Sequence, residues 1–167
     1  ISDAAINAIR EGDTHYTRGE GRKSLCTAWA SHLRERWNIP VEDEGIVITP
    51  GAKQGLLYAM MVAAEPGNEV VLMAPPWPTH VEQVELVGAT PIFVECERPN
   101  FHPNLDNITA AITPRTSAIL INSPNNPTGA VYTPELIRGI VELAVEHDLW
   151  IISDEIYAEL IWNKAEH

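Results

Sequence analysis

A chain of 167 residues that is 45% hydrophobic and 20% charged has the composition of a folded globular protein and not of a disordered one. Twenty-three acidic residues against eleven basic ones leave a net charge of −12, which repels phosphate backbones and argues against nucleic acid as a partner. The longest nearly apolar run, 55–64, is far short of the roughly 20 residues a bilayer crossing requires, so no membrane partner is expected and cytoplasm is the expected compartment.

The chain opens on Ile1 and not on Met, with no signal peptide, which suggests that the true start lies upstream. A short helix is predicted over 2–11, with Ile6 and Ile9 on one side and Gly12 just past its end. A glycine-bearing loop follows, His15-Tyr16-Thr17-Arg18-Gly19-Glu20-Gly21. Residues 22–37 predict a second helix whose stripe is Leu25, Trp29 and Leu33, with Cys26 and Ala30 beside it, ended by Asn38-Ile39-Pro40. From residue 46 strand and helix patterns alternate. Strands are predicted at 46–49, 69–73, 91–95, 117–122 and 149–153, and helices at 52–64, 79–87, 105–112 and 134–147. Thr133 is the expected cap of the last helix and Pro134 suits its first turn. This alternation predicts an α/β fold with a mainly parallel sheet and helices on both faces. Cys26 and Cys96 lack C-x-x-C spacing and read as idle thiols, with a disulfide left open. The histidines, among them His32, His80, His102 and His147, have no metal-like spacing and read as surface or helix residues, so no metal is expected.

Four stretches carry chemistry. Thr49-Pro50-Gly51-Ala52-Lys53-Gln54 stands between a predicted strand and a helix, where unpaired amides and the positive end of the helix dipole suit a phosphate. Taken alone it is also an ordinary turn. Trp77, held among prolines in Ala74-Pro75-Pro76-Trp77-Pro78, offers a stiff flat face for a planar ring, or is simply a core tryptophan at a bend. Asn122-Ser123-Pro124-Asn125-Asn126-Pro127-Thr128-Gly129 and Ser153-Asp154-Glu155-Ile156-Tyr157 both end apolar strands. Ligands of open α/β sheets sit beyond such carboxyl ends, which places Asn126, Asp154 and Tyr157 at a binding crevice. A carboxylate there is costly unless it meets a positive partner. A plain capping role for Asp154 and Glu155 is the alternative.

Together these spellings resemble the pyridoxal 5'-phosphate (PLP) dependent aminotransferases of the aspartate aminotransferase fold, the class I/II family. The resemblance runs from Ser2 to about Trp162 and implies an incomplete large domain, with 1–45 as its N-terminal helical segment and 46–167 as the α/β cofactor-binding core. It implies that backbone amides of Gly51, Ala52 and Lys53 hold the cofactor phosphate and that Trp77 lies against the pyridine ring. Asn126 is implied to bond the ring hydroxyl, with a cis Asn126–Pro127 peptide. Asp154 is implied to keep the ring nitrogen protonated, and Tyr157 to bond the ring hydroxyl, which makes these two the catalytic candidates. Tyr16 resembles the tyrosine that reaches the phosphate of a neighbouring subunit, which implies a homodimer. Many relatives have tyrosine where this chain has Pro76. The expected reaction moves an amino group between an α-amino acid and a 2-oxo acid. A carbon–sulfur lyase on the same fold is the alternative, disfavoured because such enzymes more often have histidine in place of Tyr157; a non-enzymatic PLP-sensing domain of a regulator is a third. Such enzymes also need a lysine in a serine-rich turn and an arginine in a C-terminal small domain. Neither Lys23, Lys53 nor Lys164 has that context, so the chain is expected to be a fragment that is inactive alone.

Overall fold

The structure, a computed structural model, describes residues 1–162. The chain forms two compact units, Ile1–Gly51 and Ala52–His167.

The first unit contains α1 (Ser2–Arg10), α2 (Lys23–Trp37) and a short 3-10 turn at Asp43–Gly45. Its core is small: Cys26, Ala30 and Ile46 are buried, with Leu33, Val41 and Ile48 packed against them. The predicted stripe on α2 is therefore turned. Leu25 and Trp29 stay 46% and 47% exposed, because the short side chains of Cys26 and Ala30 let other chain segments approach that side most closely. The strand predicted at 46–49 does not form. A backbone bond from Ile48 N to Glu20 O at 2.9 Å ties that segment to the loop before α2, and its alternate isoleucines point into the small core. Glycine is required opposite it: Gly21 has φ +104°, and a Cβ there would come within 2.8 Å of the Ile48 Cβ. Both cysteines are free thiols, Cys26 buried and Cys96 half-buried.

The second unit runs α3 (Ala52–Ala63), β1 (Glu69–Ala74), α4 (Pro78–Leu86), β2 (Thr90–Glu97), β3 (His102–Pro103), α5 (Leu105–Ala111), β4 (Thr116–Asn122), α6 (Pro134–Glu146) and β5 (Trp150–Asp154). The five strands form one sheet in the order β3-β2-β1-β4-β5. All pairings are parallel except β2 with the short β3, which the sequence reading did not anticipate. His102 thus belongs to a strand, half-buried, with its Nε2 3.0 Å from the Val131 carbonyl.

Strand alternation sends successive side chains to opposite faces, and the two faces have separate cores. Val70, Leu72, Ala118, Leu120 and Ile152 pack with Leu56 and Met60 of α3 and Val84 of α4. Val71, Met73, Ile119 and Ile121 pack with Ile108 of α5 and Ile140 of α6. Helices cover both faces, as the alternating pattern predicts. The predicted cap on α6 is present, with Thr133 Oγ1 accepting from Leu136 N at 3.3 Å. The chain winds outward from β1 through β2 on one side and from β4 to β5 on the other, so the strand order reverses between β1 and β4. The crevice beyond their carboxyl ends is where ligands of such sheets bind.

Candidate cofactor site

β4 and β5 pair with Asn122 beside Asp154, the last residues of their strands. Counting back by twos, Asp154 shares a face with Ile152, and Asn122 with Leu120 and Ala118; this is the face that α3 and α4 cover. Asp154 and helix α3 thus lie on one side of the sheet.

Asp154 is 5% exposed. Its Oδ2 lies 2.9 Å from Nε2 of His80, and its Oδ1 accepts from the Ile156 amide at 3.3 Å. His80 corrects the sequence reading. Read as a surface or helix residue, it is 1% exposed on α4 and is the side-chain partner of the buried acid. Its one sequence signal was its place three residues after Trp77, one turn along the same helix side. The His80 ring meets Trp77 edge-on, with centroids 5.3 Å apart.

Trp77 is half-buried at the N-cap of α4, with Pro78 in the first helical turn. The Lys53 ammonium lies 5.1 Å from its ring centroid. Ala52 and Lys53 open α3, where the first amides have no acceptor within the helix. Gly51, immediately before them in sequence, has φ +91°, a conformation that suits only glycine.

Asn122 is a second residue the sequence reading left without a role. It is buried and uses both ends of its amide: Nδ2 donates to the Asp154 carbonyl at 3.0 Å and to the Pro124 carbonyl at 3.3 Å, while Oδ1 accepts from the Asn126 amide at 2.8 Å. One side chain therefore ties the tip of β5 to the Asn126 loop. The Asn126–Pro127 peptide is cis as expected, and so is Ser123–Pro124. Asn125 braces the same loop, accepting from Thr128 through its amide at 3.1 Å and its hydroxyl at 2.8 Å.

Asn126 and Tyr157 line one cavity of about 610 Å³, bounded further by Pro127, Ile161 and Trp162. After β5 the chain turns twice, through Ala158 N to Glu155 O at 2.9 Å and Leu160 N to Tyr157 O at 2.8 Å. Tyr16, in the first unit, is fully exposed between α1 and α2. Lys164 lies outside the described residues.

Asp154, His80, Trp77 and the opening amides of α3 gather on one face of the sheet, whereas the cavity that Asn126 and Tyr157 line is not bounded by any of them. The chain belongs to the aminotransferases of class I and II, whose family model matches residues 2–167. That family is PLP-dependent. The aspartate/prephenate aminotransferase of Thermus thermophilus is 38% identical over all of this chain and 43% of its own length. The solved structure of Thermus thermophilus aspartate aminotransferase with maleate superimposes with a TM-score of 0.95 at 37% identity, over 99% of this chain and 44% of that one. N-succinyldiaminopimelate aminotransferase from Mycobacterium tuberculosis also gives 0.95, at 34% identity, over 99% of this chain and 44% of that one. The chain thus spans less than half the length of the relatives it matches.

Proposed function

We propose that these residues form the cofactor-holding core of a PLP-dependent aminotransferase that moves an amino group between an α-amino acid and a 2-oxo acid. The observation that carries this reading is Asp154: a buried carboxylate at a strand tip, oriented by His80 and tied through Asn122 to Asn126. Burial of an acid is tolerable when a cation completes the pair, and a pyridinium nitrogen is such a cation. When bound, PLP supplies an electron sink for the substrate's α-carbon, strongest while its ring nitrogen is protonated.

Asp154 holds the proton on that nitrogen, and His80 keeps the acid from rotating away. Trp77 provides the face against which the ring rests. The amides of Gly51, Ala52 and Lys53 hold the phosphate through backbone donors and the helix dipole. Asn126 and Tyr157, which line one cavity, would donate to the ring hydroxyl. Tyr16 reaches the phosphate of a second copy, so the working enzyme is a homodimer, and its compartment is the cytoplasm. Relatives named for aspartate make an acidic amino acid the first donor to test.

The test uses the protein that contains this chain. Purified with PLP, it should transfer the amino group of aspartate to 2-oxoglutarate with ping-pong kinetics. Release of ammonia without any need for an oxo acid would overturn transfer, and failure to bind PLP would overturn the whole reading.

A further inference from the structure

The side of α4 that meets the site carries a residue that has so far been given no task. Trp77, His80 and Gln83 recur at three-residue intervals, on neighbouring turns of one helix side. Gln83 is 5% exposed. Its Nε2 donates to the Lys53 carbonyl at 2.7 Å. Its Oε1 is buried and has no partner among the described residues. Burying an amide with one end unpaired is unfavourable, where methionine or leucine would simply fill the space. The bond to Lys53 therefore stands out as the reason for a glutamine.

The Lys53 carbonyl and the Gln54 N–H are two ends of one peptide group. Gln54 N–H is among the opening amides of α3 that have no acceptor within the helix. A hydrogen bond accepted at the carbonyl end polarises the peptide and makes the N–H at its other end a stronger donor. The same bond fixes the plane of that peptide against α4.

We propose that Gln83 is a positioning residue for the phosphate: acting from α4, it orients and polarises the Lys53–Gln54 peptide so that the first turn of α3 grips a phosphate monoester. This rests on the reading above that the start of α3 takes the cofactor phosphate. It also gives α4 a single mechanical role. One short helix orients the ring-nitrogen acid through His80 and the phosphate cradle through Gln83, so the spacing between the two ends of the ligand is set by a rigid element.

The experiment compares PLP with pyridoxal, the same ring without phosphate, in the protein that contains this chain. Dissociation constants are measured by absorbance titration for the natural sequence, Gln83→Met and Gln83→Leu. Loss of the donor should weaken PLP binding by roughly 3- to 10-fold in either variant while pyridoxal changes less than about twofold. Inorganic phosphate should also compete less well for the site in the variants. Parallel weakening of PLP and pyridoxal would reduce Gln83 to a packing residue and overturn the proposal, as would unchanged PLP binding. If the natural sequence itself bound both ligands equally, the phosphate reading beneath the proposal would fall with it. Circular dichroism identifies a variant that does not fold, and the other variant then carries the comparison.

Discussion

Asp154 and His80 are each nearly inaccessible, and each is the other's side-chain partner. Removing one leaves a buried polar group unpaired, and the effects on stability and on activity should separate. Asp154→Ala, in the protein that contains this chain, should retain some PLP but lose at least roughly 100-fold in kcat if the acid has the role proposed for it. His80→Leu should lose less, roughly 5- to 10-fold, since the carboxylate remains but swings more freely. Steady-state kinetics on both variants check the order; near-normal turnover in Asp154→Ala would remove the role assigned to the acid. Gln83 and Asn122 act at the same scale, each through one side-chain amide bonded to backbone groups: Gln83 to the Lys53 carbonyl, Asn122 to the Asp154 carbonyl and the Asn126 amide.

At the scale of elements, the start of β1 is locked to the turn before β4. Glu69 is buried and accepts from the Thr113 hydroxyl and the Arg115 guanidinium, while its amide donates to the Arg115 carbonyl at 2.8 Å. The Thr113 hydrogen bond first, and then Arg115, hold the Glu69 carboxyl below its ordinary range against the opposing effect of burial. A carboxyl lowered in the folded state binds its proton more readily when unfolded. Its stabilising contribution is therefore complete above the ordinary carboxylate range and fades as pH falls through the lowered value. Thr113→Val should flatten that acid-side loss, seen as a smaller fall in urea midpoint between neutral and acidic pH than the natural sequence shows. On α6 the cap and the core differ in weight: Thr133→Ala should cost about 1 kcal/mol and Ile140→Ala about 2–5 kcal/mol, because the isoleucine is fully enclosed between helix and sheet. Denaturant titration ranks them, and an equal cost would contradict the burial of Ile140.

At the scale of the whole 167-residue chain, the excess of acidic side chains governs behaviour toward other polymers. With a net charge of −12 and an isoelectric point near 4.8, repulsion between copies is strong at neutral pH and disappears on mild acidification. For these 167 residues by themselves, solubility should pass through a minimum near pH 4.8, measurable by light scattering across a pH series. Among the described residues no helix is long and apolar enough to cross a membrane.

Much of this protein was legible before any coordinates. The strand–helix alternation read from residue 46 onward set the fold class because period-two and longer apolar patterns are local properties of the chain. The stretches from Asn122 to Gly129 and from Ser153 to Tyr157 disclosed their chemistry because turn-forming and polar residues abruptly end apolar strands. Three features needed the tertiary structure. Residues 46–49 look like a strand, yet whether an apolar run joins a sheet depends on which partner edge is near. The buried side of α2 depends on which side its neighbours can approach, and small Cys26 and Ala30 prevailed over Leu25 and Trp29. His80, Gln83 and Asn122 acquire their roles only through hydrogen bonds. His80 to Asp154, Gln83 to Lys53 and Asn122 to the Asp154 carbonyl each join residues far apart in the chain. Periodicity shows which residues go inside; only the packed fold shows what a buried polar group meets there.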